Sequence, residues 1–407
     1  MWEVCYLDSG IRESCFGCEA CVQACAKKAI RMVPDQDGFR YPVIDKALCV
    51  NCGLCRKVCA SVAPSAAHMP LMAFGGYVLD EKIRSESTSG GLFSAIVNSW
   101  ADDETIIFGA EAVGLDVRHS WIKGPSELHR FRKSKYLQSQ VDTAFVEAKR
   151  FLLEGKRVLF SGTPCQIAGL KKFLQGTDQE GLLTVEVVCE GVPSPNYIHK
   201  FAEWLGNRLG GKVTGVDYRF KDGRKWDFEV MQASLQNPSR GIFKWKQDRW
   251  LNPFWSIWLQ HLISRPSCYE CPFARRERSA DISLGDLWGV HLYCPELYGR
   301  NGGASVVFCN TTKGVAALEK AKLLLFGHEL CVDDAIRYQG PMRSHITDNP
   351  RKVECLKDVR ELSYETIVRK WAKRPTLKLL VQKYIWGNRQ KVWLWNLKRR
   401  MKDEHSC

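Results

Sequence analysis

No apolar run in this 407-residue chain approaches the length of a membrane-spanning helix. The opening Met1-Trp2-Glu3-Val4-Cys5 has neither a basic n-region nor an apolar h-region, so no secretory signal is expected. With 18 cysteines and no such signal, a reducing compartment and a cytoplasmic location are expected, and a secreted disulfide framework is not. Acidic residues are the scarcer charge: 45 Asp and Glu against 59 Lys and Arg leave a formal net charge of +14. No recognition motif accompanies that excess, so no nucleic-acid partner is expected, and it suits docking of an acidic partner or a phosphate-bearing coenzyme. From Arg369 to Lys402 there is no Asp or Glu at all. Hydrophobic content of 45% and charged content of 26% describe an ordinary globular chain, and the length allows two or three domains.

What the chain does have is a repeated cysteine pattern. Cys15, Cys18, Cys21 and Cys25 are spaced C-x2-C-x2-C-x3-C, and Cys49, Cys52, Cys55 and Cys59 repeat the spacing. Three thiolates on one tight loop take three corners of a cubane 4Fe–4S cluster, and in two-cluster arrangements the fourth cysteine of each run serves the other cluster. The expected ligand sets are therefore Cys15, Cys18, Cys21 with Cys59, and Cys49, Cys52, Cys55 with Cys25. Zinc uses paired C-x2-C knuckles set apart, not three thiols in seven residues. The proline that usually follows the fourth cysteine is missing, since alanine follows both Cys25 and Cys59, but that position is not a ligand.

Residues 1–65 read as a two-cluster ferredoxin-like module, with Gly38–Val43 a short strand between the cluster loops and Ser61–Pro70 a linker. Residues 72–345 have the texture of an α/β domain. Ile106–Ala110 is a strand candidate, and Val141–Glu154 has helical periodicity. Arg157–Phe160 reads as a buried strand, Ser161–Cys165 as a tight loop, Gln166–Leu174 as a helix, and Leu182–Val188 as the next strand. Such a crossover favours parallel neighbours, whose carboxyl ends form a ligand-binding rim that would carry Cys165 and Cys189. Residues 200–265 are aromatic-rich and give no clear pattern. Residues 346–407 read as a basic, aromatic-rich helical tail.

Six further stretches carry a resemblance: Ser87-Thr88-Ser89-Gly90-Gly91-Leu92-Phe93-Ser94; Ser134-Lys135-Tyr136-Leu137-Gln138-Ser139; Ser161-Gly162-Thr163-Pro164-Cys165-Gln166; Cys189 to Ser194; Arg265 to Cys271; and Gly285-Asp286-Leu287-Trp288-Gly289. In this order, behind a cluster module, they resemble the coenzyme F(420) hydrogenase/dehydrogenase beta-subunit family, iron–sulfur flavoproteins that include 7-hydroxymethyl chlorophyll a reductase. The resemblance implies FAD held by the α/β portion and a third 4Fe–4S cluster beside it. Its thiols would be Cys165, Cys189, Cys268 and Cys271; a four-cysteine zinc site has the same inventory, and buried thiols without a metal are the bland alternative. Ser87, Thr88, Ser89, Gly90 and Gly91 open a helical run from Leu92 to Trp100 and suit a pyrophosphate, although a plain helix cap would use the same residues. Ser134, Lys135, Tyr136, Gln138, Ser139, Thr163 and Pro164 are the other expected flavin contacts. Many relatives have His where this chain has Glu190; glutamate can serve as the acid–base group there only if its surroundings raise its pKa, and capping the loop is the plain alternative.

Two functions follow from the resemblance. One is a flavoprotein oxidoreductase linking a one-electron carrier (ferredoxin) or a reduced deazaflavin coenzyme to a small-molecule substrate. The other is a relay subunit serving a partner hydrogenase or dehydrogenase. The basic tail, with Trp371, Tyr384, Trp386, Trp393 and Trp395 among its cations, suits an anionic membrane surface or, alternatively, a terminal helix packing its rings on the protein. Assembly into a homo-oligomer is open.

Overall fold

The computed structural model describes residues 4–62, 66–223, 226–297, 302–386, 393–394 and 397. It begins with an antiparallel hairpin, β1 (Ile30–Pro34) and β2 (Arg40–Ile44), flanked by the two cysteine loops. The expected strand over Gly38–Val43 is β2; its partner β1 gave no signal, because its five residues carry Arg31 and Pro34 and bury little.

The centre is an eight-stranded mixed sheet. Its strands are β3 (Met72–Val78), β4 (Ile106–Val113), β5 (Asp116–Lys123), β6 (Val158–Gly162), β7 (Leu182–Val187), β11 (Ile282–Asp286), β12 (Ser305–Cys309) and β13 (Leu325–Leu330), in the order β13-β3-β12-β11-β7-β6-β4-β5. The inner four, β4, β6, β7 and β11, are parallel, and antiparallel strands flank them on both sides. Strands buried on both faces read as continuous apolar runs, which is why Val158-Leu159-Phe160 and Leu182-Leu183 were visible in the sequence. The period of two then divides them between two cores. Leu159 and Leu183 meet Leu92, Ile96 and Leu318 on one face; Val158, Phe160 and Leu182 meet Phe145, Ile167 and Leu170 on the other. The helices supplying those residues are Leu92–Trp100, Thr312–Ala321, Ala144–Leu153 and Pro164–Phe173.

The segment from 200 to 265 resolves into the helix Pro195–Leu209 and an antiparallel meander, β8 (Lys212–Phe220), β9 (Val230–Asn237) and β10 (Gly241–Gln247), followed by the helix Pro253–Trp258. Its aromatic residues build a core of their own: Tyr197, Phe201, Phe254 and Trp255 are all at most 1% exposed. That core also takes Cys355, Val359, Tyr364, Ile367 and Trp371, from the helices Lys352–Glu361 and Tyr364–Trp371. The beginning of the stretch that reads as tail is thus interior structure.

Candidate functional site: thiols at the sheet rim

β6 ends at Gly162, and Thr163 turns the chain into the next helix. The Thr163 N–H and hydroxyl both donate to Gln166 Oε1, at 3.0 Å each, and Pro164 takes the first helical position. This reciprocal cap holds Cys165 in the first turn, with Thr163 Oγ1 3.1 Å from its Sγ. β7 ends at Val187, two residues before Cys189, so both cysteines lie on the carboxyl rim of the parallel strands.

Cys268 and Cys271 come over this rim from the short 3-10 helix Pro266–Glu270. The four thiols line one pocket, together with Thr163, Pro164, Gln138, Phe16 and Arg265. Burial raises every one of these thiols: Cys268 to about 11, with Cys165 adding to the rise, and Cys271 to about 12, with Cys268 and Cys165 adding. Thiols held neutral in this way, chiefly by burial, become thiolates once a metal supplies the compensating charge.

A second pocket lies alongside, with Phe16 in the wall of both. Cys15, Cys18, Cys21 and Cys59 line it, the set that crossed ligation requires. The approach of the two pockets depends on Gly169 in the helix after Cys165: a Cβ there would stand 2.9 Å from Cys18 Sγ. Cys5 is 3% exposed and lines the same pocket, where the neighbouring Cys59 and burial push its thiol pKa up. The sequence offered no signal for it, because Cys5 stands outside either run. Of the remaining cluster thiols, Cys25 Sγ accepts from the Ala29 N–H at 3.3 Å, Cys49 lies 3.6 Å from Asn51 Oδ1, Cys55 is half-buried, and Cys52 is exposed.

Gln138 and Arg265 tie the two pockets together. Gln138 Nε2 donates to the carbonyls of Phe16 (2.7 Å) and Gly17 (3.3 Å), and its Oε1 accepts from Arg265. Ser139 is buried against Gln166, which donates to both its carbonyl and its hydroxyl. Gln138 and Ser139, expected as flavin contacts, are in these positions joints between the cysteine loops and the sheet.

The other expected flavin contacts gather further along the same face. Ser87 donates to Ile83 O, Ser89 to Ala304 O, and Gly90 N–H to Ser305 Oγ. Thr88 Oγ1 accepts from Ser134 N at 2.7 Å. Gly91, at φ +82°, starts the helix Leu92–Trp100, and no side chain caps that helix's first N–H groups, which suits an outside acceptor better than a plain cap does. Lys221, just past β8, donates to Arg84 O and Ser89 O, both at 2.6 Å. Its pKa is pushed down to about 7, chiefly by burial and further by Arg84 and Arg219. Arg219 pairs with Asp286 and lies over the rings of Trp226 and Trp288. Lys133 pairs with Asp217. A basin of cations and indoles thus borders the Ser-Gly-Gly loop, assembled from residues too far apart in the chain for any local pattern to join.

Two expected residues point elsewhere. The Lys135 ammonium donates to the carbonyls of Arg132 (2.7 Å) and Arg130 (3.5 Å), closing its own turn. The Tyr136 ring sits edge-on to Trp255 and Trp258, 5.0 Å from each, within the meander's aromatic core. Glu190 is solvent-exposed and does not line the thiol pocket; protein packed around it raises its pKa, with Glu229 and Asp286 adding.

Comparison with known proteins gives two family matches. Residues 155–324 match the C-terminus family of the coenzyme F420 hydrogenase/dehydrogenase beta subunit, and residues 14–63 match the 4Fe-4S dicluster domain. No curated protein matches the chain. Among solved structures, the xenon-derivatised F420-reducing [NiFe] hydrogenase complex from Methanosarcina barkeri is similar over 67% of this chain and 90% of that one, at 17% identity and a TM-score of 0.43.

Proposed function

We infer, for a chain that belongs to the coenzyme F420 hydrogenase/dehydrogenase beta-subunit family and carries an N-terminal 4Fe–4S dicluster domain, that it is an iron–sulfur flavoprotein oxidoreductase with three cubane clusters and one FAD. Iron–sulfur electron transfer is what the two matched families have in common with this chain. The finer reading is carried by one observation: the four-thiol pocket at the sheet rim shares the wall residue Phe16 with the pocket of Cys15, Cys18, Cys21 and Cys59.

Cys165, Cys189, Cys268 and Cys271 fit a cubane by donor chemistry, four thiols converging on one pocket beside Phe16, and the metal count below separates that cluster from a four-cysteine zinc site. Thr88, Gly91, Lys133, Arg219 and Lys221 suit the pyrophosphate and ring system of FAD, placing cations, free N–H groups and two indoles along one loop. When bound, FAD supplies the exchange between one-electron and two-electron chemistry. The residues around it hold and orient: Arg219 is fixed by Asp286, and Lys221 by two carbonyls. We place a one-electron carrier such as ferredoxin at the N-terminal module and a small molecule or a deazaflavin coenzyme at the basin. The family's name as a beta subunit favours a second reading, relay for a partner hydrogenase or dehydrogenase. Co-purification of that partner from the native host would select it.

The test is anaerobic purification with iron, sulfide, zinc and flavin counted together. About twelve irons and one FAD per chain are expected, taking four irons per cubane. About eight irons with one zinc would make the rim site structural, and absence of flavin would end the flavoenzyme reading.

A further inference from the structure

Among the described residues, three arginines are almost fully buried: Arg219 (4% exposed), Arg278 (2%) and Arg265 (1%). A guanidinium taken out of water needs an opposite charge. Two have one, since Arg278 pairs with Glu186 and Arg219 with Asp286. Arg265 makes no ion pair with any described residue. Its Nε donates to Cys15 O at 2.9 Å, its Nη1 to Gln138 Oε1 at 3.2 Å, and its Nη2 to Arg40 O at 3.0 Å. These acceptors satisfy its hydrogen bonds without neutralising its charge. The remaining contact is Nη2 to Cys15 Sγ at 3.6 Å, and the same side chain lines the four-thiol pocket. Its placement does not depend on either pocket being filled. The backbone is pinned by the Arg265 N–H to Val192 O and the Ser194 N–H to Ile263 O, and the guanidinium lies over Tyr41, 4.4 Å from the ring centre.

We propose that Arg265 is the internal counter-ion of the iron–sulfur centres, a positioning residue whose charge raises the reduction potential of the cluster held by Cys15, Cys18, Cys21 and Cys59. A cubane on four thiolates is anionic and gains one further negative charge when the external carrier gives it an electron; no bond forms or breaks. A fixed cation on a ligand sulfur stabilises that more negative form, and hydrogen bonds to the sulfurs act in the same direction. The proposal rests on the ligand reading given above, and it gives Arg265 a role that the cysteine pattern alone does not contain.

The full-length protein, reconstituted anaerobically, tests it as wild type, Arg265→Gln and Arg265→Lys. Two quantities are read: iron and sulfide per chain, and cluster midpoint potentials by EPR-monitored redox titration. The expected result is unchanged iron in all three proteins, with a midpoint shifted to more negative values in Arg265→Gln and held near wild type in Arg265→Lys. Equal midpoints in all three at equal iron content overturn the proposal. If Arg265→Gln loses iron, Arg265→Lys decides: full iron content upholds the need for charge, and parallel loss shows that the fork's geometry alone matters. Failure of the ligand reading looks different, because Cys15→Ser would then leave the wild-type iron count unchanged.

Discussion

The imidazole of His119 stacks on Phe160 with ring centres 5.3 Å apart, and its Nε2 lies 2.9 Å from Ser161 O, just ahead of the Thr163–Cys165 turn. Burial lowers its pKa to about 4, with the nearby Lys135 cation adding to the shift and the Ser161 carbonyl opposing it. The sign of the effect on stability follows. The unfolded chain protonates His119 near its ordinary value of about 6.5, whereas the folded chain refuses the proton until about 4, so stability falls as pH drops through that window. Unfolding by urea at pH 7 and pH 5 should therefore show a larger loss for the wild type than for His119→Gln, which keeps a polar side chain but does not titrate. Equal losses would mean that His119 carries no part of the acid sensitivity. The same physics separates His119 from a catalytic acid–base group: a histidine held neutral across physiological pH supports the rim without exchanging protons there.

The loop from Ser87 to Gly91 shows how an element becomes rigid enough to present a ligand site. Gly90 lies so close to the sheet that a Cβ would meet Ser305 N at 2.7 Å and press on the Gly76 carbonyl as well. Both are backbone atoms of the paired strands β12 and β3, which cannot give way. Gly90→Ala should therefore cost roughly 1–3 kcal/mol, the usual penalty of overpacking, and release flavin. A melting temperature and flavin content equal to wild type would sink that account. The glycine was legible in the sequence as part of a motif, but its reason was not, because β12, which closes over it, lies 215 residues away in the chain. The same division runs through the molecule. Cysteine spacing, the Thr163–Gln166 cap and the apolar runs of β6 and β7 are local signals, and each was readable. Arg219, Lys221 and Arg265 were not, since their meaning arises from pairing across 67 to 250 residues. The meander β8–β10 was obscured by its own content: its aromatic residues serve a separate core, and its outer strand β10 carries polar and charged residues through Lys246 and Gln247.

Taken whole, the chain sets the dicluster loops against one end of the mixed sheet and spends its C-terminal residues in two ways. Trp371 is 4% exposed, and its indole N–H donates to Asp358; Tyr384 donates to Asp248 at 2.7 Å, with Lys383 over the Trp250 ring. These aromatic residues pack on the protein, as the plain reading of the tail expects. Beyond them the character changes. Ile385 is 72% exposed, Trp393 63% and Leu394 48%, while Trp386 and Trp395 lie outside the described side chains. Among the described residues no helix is long and apolar enough to cross a membrane. A segment with exposed apolar side chains and, as far as Lys402, only basic charge has the composition of a surface anchor, bound by apolar insertion plus attraction to anionic lipid worth about 1 kcal/mol per cation near the surface. Liposome co-sedimentation separates the two parts of the tail. The full chain should pellet with anionic vesicles and much less with neutral ones, and replacing Trp393 and Leu394 by Ser should reduce pelleting. Replacing Trp371 should instead lower thermal stability, because it removes a buried ring from the meander's core. Equal pelleting of the full chain and a chain ended at Tyr384 would show that the distal basic residues serve solubility alone.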